Sequence, residues 1–315
     1  VTATQMLGWL LVAGTLCGFV FQRSRLCFVS ALRDLYLFRA LRMTRAILLL
    51  FLLTVTGGAF LQAGQATAHG PVAGPSPAGA WLGGAIFAVG MVLAGSCAAG
   101  AFWRLGEGQL SQLYILAGML AGTWLYPKLP LLPSAVLQPT FNAWIAVVLL
   151  ALALGLVSAW EWRQARIGQE LPARPRRGLL REPWPPEWGA LVMAVLLVAS
   201  TAFTGQGWGV TRAFLLTDMS AAAYAIGLLA GGFLGARFGG EFRVRRPGGR
   251  APSLIRLAGG VLMGYGARVG WGCTIGAVLT GMVNLSPQPW YWMLGAVCGA
   301  ALGAVILRRL MYRYL

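Results

Sequence analysis

Three cysteines stand in settings that could handle a small, soft anion. The first motif runs Gln22-Arg23-Ser24-Arg25-Leu26-Cys27-Phe28. The second is Gly95-Ser96-Cys97-Ala98-Ala99-Gly100, with Arg104-Leu105-Gly106-Glu107-Gly108 behind it, and the third is Arg268-Val269-Gly270-Trp271-Gly272-Cys273-Thr274. A neutral thiol is a weak hydrogen-bond donor on a polarizable atom, so thiols in series could pass a soft anion along through contacts loose enough to release it. Glycine beside a cysteine lets backbone approach and bares amide N–H groups, and a helix starting there points its positive end at the ligand. The arginines set the sign: one at membrane depth costs roughly 2.5 to 3.5 kcal/mol on insertion scales, so Arg268 must face protein or water and implies a negative ligand.

Other chemistries lack their residues. There is no CxxC pair, and the single histidine, His69, sits in a Gly/Pro/Ala loop, so no metal site and no cofactor is expected. No GxxxxGK[ST] run and no GxSxG elbow is present, which argues against a nucleotide-driven pump and against a hydrolase of that type.

The elements that must position these residues are apolar. Of 315 residues 58% are hydrophobic and only 10% charged, far from the roughly 25% charge of a soluble domain. Mean hydropathy is +0.70, the signature of an all-α integral membrane protein. Nine runs read as transmembrane helices: Met6 to Phe21, Ala46 to Gly64, Gly79 to Gly95, Leu110 to Tyr126, Phe141 to Trp160, Trp188 to Thr204, Ser220 to Ala236, Leu254 to Val269 and Trp290 to Leu307. The first lacks a basic leader and is followed by arginines, the pattern of a retained span. With the amino terminus outside, all of the 25 Lys and Arg except Lys128, Arg212 and Arg268 fall inside. The net charge of +17 is then a topology signal and not a nucleic-acid surface, and the carboxyl terminus is cytoplasmic.

Three pieces are too short to cross: Leu26 to Ala40, Arg212 to Met219 and Thr274 to Leu285. Lipid cannot satisfy irregular backbone, so these read as re-entrant segments covered by protein. An internal repeat underlies the arrangement. Gly83-Gly84, Gly90, Cys97 and Gly100-Ala101 recur at identical spacing as Gly259-Gly260, Gly266, Cys273 and Gly276-Ala277, and a weaker echo of Phe19 and Gln22 in Phe203 and Gln206 sets Thr211 opposite Cys27. The chain divides into a first repeat half with its connector span, 1–160, a basic cytoplasmic linker, 161–187, and a second half, 188–315. An odd connector between them makes the halves inverted in topology, an architecture of transporters whose path lies between the halves.

The RSxxC segment ending at Cys27, the GSCxxG segment at Cys97 with Arg104 to Gly108, the Trp208-Gly209-Val210-Thr211 segment and the GCTxG segment at Cys273 resemble, in order and over nearly the whole chain, the YeeE/YedE family of membrane proteins, also called the thiosulfate transporter family. The resemblance implies nine crossing helices with short embedded ones in an hourglass shape. It also implies inner-membrane uptake of thiosulfate along Cys27, Cys97 and Cys273, and a TusA-like cytoplasmic sulfurtransferase as partner. One branch of the family is tied to selenium metabolism.

Supporting residues on this reading are Gln22, Arg25, Gly95, Ser96, Gly100, Arg104, Glu107, Trp208, Thr211, Arg268, Gly270, Gly272 and Thr274. Blander roles stand beside them. Cys17 and Cys298, in apolar runs without glycine, read as packing residues. Gly83, Gly84, Gly259 and Gly260 read as close helix contacts. Arg23, Arg25 and Arg33 serve equally as topology signals, with Asp34 as an ion-pair partner, and Glu107 is expected to pair with Arg104. The 13 tryptophans fit anchoring at the membrane interface, in contact with lipid. Two rivals remain open: a membrane thiol oxidoreductase, which would need a switching disulfide, and a docking subunit without flux.

Overall fold

In hydrocarbon every backbone polar group must be satisfied within its own segment, so long apolar runs fold as helices. The computed structural model describes residues 3–38, 41–64, 75–129, 143–165, 181–205, 207–215 and 218–314, and each of the nine predicted runs contains a helix. They are α1 (Ala3–Ser24), α3 (Arg42–Ala63), α4 (Pro77–Ala94), α6 (Gln112–Leu125), α7 (Ala143–Ala165), α8 (Pro186–Thr204), α9 (Met219–Phe238), α10 (Arg250–Val269) and α12 (Gln288–Tyr314). Six of them, α1, α3, α4, α8, α9 and α12, are long and apolar enough to cross a membrane. The other three fall short for visible reasons: α6 has 14 residues, the apolar stretch of α7 is confined to Trp144–Trp160, and α10 carries Arg250, Arg256 and Arg268. No strand is present among the described residues. The protein is an all-α membrane protein.

The short pieces are α2 (Phe28–Phe38), a 3-10 turn over Thr211–Leu215, and a π-helical turn over Thr274–Leu279 that runs into α11 (Thr280–Val283). A fourth, α5 (Ala98–Gly106), was not among the pieces expected from sequence. Asp34 as an ion-pair partner, His69, Gln206 and the 166–180 part of the basic linker lie outside what the structure describes.

Glycine sets how the long helices meet. Helices α1 and α9 lie parallel, with Gly14 against the Tyr224 carbonyl and Gly231 against that of Thr15; a Cβ built at these positions would come within 2.4 and 2.0 Å of those oxygens. Helices α4 and α12 also run parallel, through Gly84 at Trp292 and Gly295 at Trp81. Between α4 and α10, which cross antiparallel, the contacts are reciprocal: Gly83 meets Gly266, and Gly90 meets Gly259. Small residues allow this backbone approach in a medium where apolar burial drives no association, and Gly83, Gly84, Gly259 and Gly260 all serve it, as expected.

These directions define two ends. At one, the basic end, α1, α5 and α9 finish and α10 begins, with Arg237, Arg243, Arg245, Arg246 and Arg250 nearby. At the other lie the start of α9 and the loop after α10. Around the flank, large apolar side chains such as Leu156, Trp188, Ile226 and Leu294 face outward, a surface suited to lipid.

Candidate translocation site

The three motif cysteines share one local geometry. Each immediately precedes a short helix, and each carbonyl accepts the first helical hydrogen bond: from Ala31 N–H to Cys27 at 3.1 Å, from Ala101 to Cys97 at 2.9 Å, and from Ala277 to Cys273 at 2.7 Å. Two residues upstream the backbone turns left-handed every time, at Arg25 (φ 54°), Gly95 (φ 70°) and Trp271 (φ 55°). The turn ends the preceding long helix, and the cysteine then caps a new one, so each thiol sits at the positive end of a short helix. At Cys97 the sulfur also accepts the Gly100 N–H at 3.3 Å. All three thiols are buried.

At the end opposite the basic one, a cavity of about 750 Å³ opens between the start of α9 and the loop after α10. Its wall includes Thr211, Arg212, Asp218, Arg268, Trp271 and Gly276. A Cβ at Gly276 would stand 4.0 Å from the Cys273 sulfur, which puts that thiol just behind the cavity wall. Gly272 (φ 155°) keeps the loop tight, its N–H bonded to the Ala267 carbonyl at 2.8 Å, and Gly270 is pressed between Gly83 and the Trp292 ring. Two buried donors near this loop, Thr274 Oγ1 and Trp292 Nε1, have no partner among the described residues. Trp208 stacks on Tyr224 at 5.3 Å between ring centroids and donates to Ser200 Oγ at 2.8 Å.

The cavity carries both signs of charge, unequally. Arg212 Nε holds Asp218 Oδ2 at 2.8 Å, while Arg268 has no carboxylate partner among the described residues. Burial works against ionised Asp218, but the Ser220 hydroxyl, the Ala221 N–H and Arg212 outweigh it and hold the carboxyl below its usual range. The balance facing the cavity is therefore positive.

Toward the basic end, Arg104 joins two of the motifs. Its Nη1 donates to the Gly95 carbonyl at 2.9 Å and its Nη2 to the Cys27 sulfur at 3.6 Å. Ser96, fully buried, donates to the Cys97 carbonyl at 3.3 Å. Arg25 and Arg104 both lie over the Trp103 ring, at 5.7 and 5.2 Å, so two guanidiniums share one indole.

An arginine with no carboxylate partner among the described residues thus lines the cavity, and beyond it each motif cysteine starts a short helix. The model of the family described as sulphur transport matches residues 23–302. The chain belongs to that family. It is 32% identical to the thiosulfate transporter TsuA of Escherichia coli, over 91% of this chain and 90% of that one. To the thiosulfate transporter TsuA of Spirochaeta thermophila it is 28% identical, over 95% and 98%. A shorter match, 32% over 25% of this chain, joins it to the probable transporter YedE of Salmonella typhimurium. The family is one of transporters, not enzymes.

The structure gathers the sequence-predicted residues into two groups. Trp208, Thr211, Arg268, Gly270, Gly272, Cys273 and Thr274 surround or adjoin the cavity. Gln22, Arg25, Cys27, Gly95, Ser96, Cys97, Gly100, Arg104 and Glu107 lie toward the basic end. Two readings need correction. Glu107 pairs with Arg25, at 2.6 Å, and not with Arg104, whose guanidinium is turned back to Gly95 and Cys27. Cys298 is exposed on α12, whereas Cys17 packs in the core beside Tyr224 as expected. Sequence reading missed Glu241, Tyr224 and Trp292; nothing local distinguishes them, because their partners are far away in the chain.

Proposed function

We propose that this chain takes up thiosulfate across the bacterial inner membrane. The dianion enters the cavity beside Arg212 and Arg268, passes Cys273, Cys97 and Cys27 in that order, and leaves at the basic end, which faces the cytoplasm together with the carboxyl terminus. The observation that carries this reading is the shared frame of the three cysteines, each buried at the start of a short helix two residues after a left-handed turn. Thiol contacts of this kind are weak, as conduction requires. No covalent step is needed, and nucleophilic attack would retain the sulfur. The names of the full-length relatives support thiosulfate as the substrate.

The reciprocal glycine contacts of α4 and α10 support two inverted halves, 1–160 and 188–315, joined by the 161–187 linker. On this reading all nine long helices cross the membrane, and a TusA-like sulfurtransferase collects the product at the basic end. Uptake of radiolabelled thiosulfate into proteoliposomes tests the reading, beside Cys97→Ala and Cys273→Ala and with sulfate as competitor. Uptake that resists sulfate and is lost in both variants is the expected result. Normal uptake by both folded variants would overturn the thiol path.

A further inference from the structure

One side chain at the basic end is out of keeping with its backbone. Of the three left-handed positions that precede the thiols, the one before Cys97 is Gly95, which adopts that conformation freely, whereas the one before Cys27 is Arg25 (φ 54°). An arginine held where glycine fits better suggests that its side chain is needed. Its guanidinium forks between two carboxylates, Nη1 to Glu107 Oε2 at 2.6 Å and Nη2 to Glu241 Oε2 at 2.7 Å.

These carboxylates come from separate parts of the fold. Glu107 follows α5 and is buried; Glu241 follows α9 and is about one-third exposed. Gln22 Nε2 also donates to Glu241, at 2.8 Å, and buried Arg23 stands 3.8 Å from the same oxygen. The two segments are tied again by backbone, Arg245 N–H to the Gly108 carbonyl at 2.8 Å and Leu110 N–H to that of Arg245 at 3.1 Å. The ends of α1, α5 and α9 are thus tied together, two residues from buried Cys27, by a bridge whose water-facing part is Arg25, 40% exposed in its side chain.

We propose that the Arg25 fork is the bolt of the path at its basic end: it shuts the way past Cys27 and opens by leaving Glu107 and Glu241. An ion-pair bolt suits an anion better than an apolar plug. Two bare carboxylates at the exit would repel a dianion, and the charge of that dianion competes with them for the arginine. The role of this end as an exit rests on the proposed function above.

The test uses purified full-length protein in detergent and a water-soluble maleimide, with each cysteine followed by mass-spectrometric peptide mapping. Arg25→Gly removes the bolt and keeps the left-handed turn; Glu241→Gln loosens one arm of the fork. The parent protein sets the reference rate, and buried Cys17, between α1 and α9, reports any loss of fold. Cys27 should react about tenfold faster in either variant than in the parent protein, the gain expected for breaking a half-buried ion pair, with Cys17 still protected. Cys27 rates equal to the parent in a variant whose Cys17 stays protected would overturn the proposal. Labelling needs no transport, so the bolt can stand or fall separately from thiosulfate as the substrate, which uptake alone decides.

Discussion

Gly83→Ala should destabilise the protein and impair uptake together. A Cβ at Gly83 would fall 2.2 Å from the Gly270 nitrogen, 2.4 Å from its Cα and 2.9 Å from the Gly266 carbonyl oxygen. All three are backbone atoms, so no side chain can swing away. Carbon atoms rest at about 3.5 to 4.0 Å, which obliges α4 and the Gly270 loop to part by roughly 1 Å. Overpacking of this order costs about 1 to 3 kcal/mol. It is set against a gain of roughly 1 kcal/mol for replacing glycine in a helix. Gly155 on α7 is the control, since a Cβ there meets nothing within 4 Å and Gly155→Ala keeps only the gain. The two variants should differ by about 2 kcal/mol, read as several degrees in thermal unfolding of the detergent-solubilised proteins. Gly270 leads directly into Trp271 and Cys273, so proteoliposome uptake should fall in Gly83→Ala and hold in Gly155→Ala. A Gly83→Ala protein as stable as Gly155→Ala would refute the claim that the crossing is set by backbone contact.

Three further outcomes follow from the site. Arg104→Ala leaves the Gly95 carbonyl and the Cys27 thiol without their shared donor, and uptake should drop by about tenfold or more, at a stability cost of about 1 to 3 kcal/mol for the unpaired carbonyl; unchanged uptake would count against Arg104 as a link between the two motifs. Arg268→Gln should raise the thiosulfate concentration for half-maximal uptake several-fold and flatten its dependence on ionic strength, and identical salt profiles would remove Arg268 from the entry. Because Asp218 is held below its ordinary value of 3.8, it stays ionised at neutral pH, and its pairing with Arg212 contributes stability that is lost only as pH falls through that lowered value. Asp218→Asn should therefore shift uptake by one factor across about pH 5 to 8 without changing the shape of the curve; a change of shape in that range would contradict the assignment.

Hydropathy made the long helices legible, because each run must satisfy its backbone alone in lipid. The third motif likewise disclosed the cavity end, since glycines at 270, 272 and 276 have no good reason to cluster unless backbone comes close. Helix α5 was hidden by its own brevity, with nine residues running on from an apolar span. The repeat pointed to it all the same: Thr274, the first residue of the π turn, corresponds at that spacing to Ala98, the first of α5. The Glu107 partnership failed for another reason. Arg104 is three residues away, the natural choice by proximity, but its guanidinium is spent on Gly95 and Cys27, and the real partner comes from the far end of α1. Left-handed backbone at Arg25 and Trp271 was also invisible, since residue type there argues against it and only the surrounding packing imposes it.

The glycine seams also decide where this molecule can yield. Along α1 and α9, and along α4 with α10 and α12, backbone lies directly on backbone, so sliding one helix by even a single residue's rise of about 1.5 Å would carry side-chain-bearing positions into a neighbour's carbonyls. Stiffness is thus concentrated in the long helices. The short helix after Cys97 belongs to the same frame, with Gly232 of α9 against the Trp103 carbonyl and Gly106 of α5 against that of Leu229. In mechanical terms the protein is a welded frame, and movement is left to side chains and to the loops between the welds.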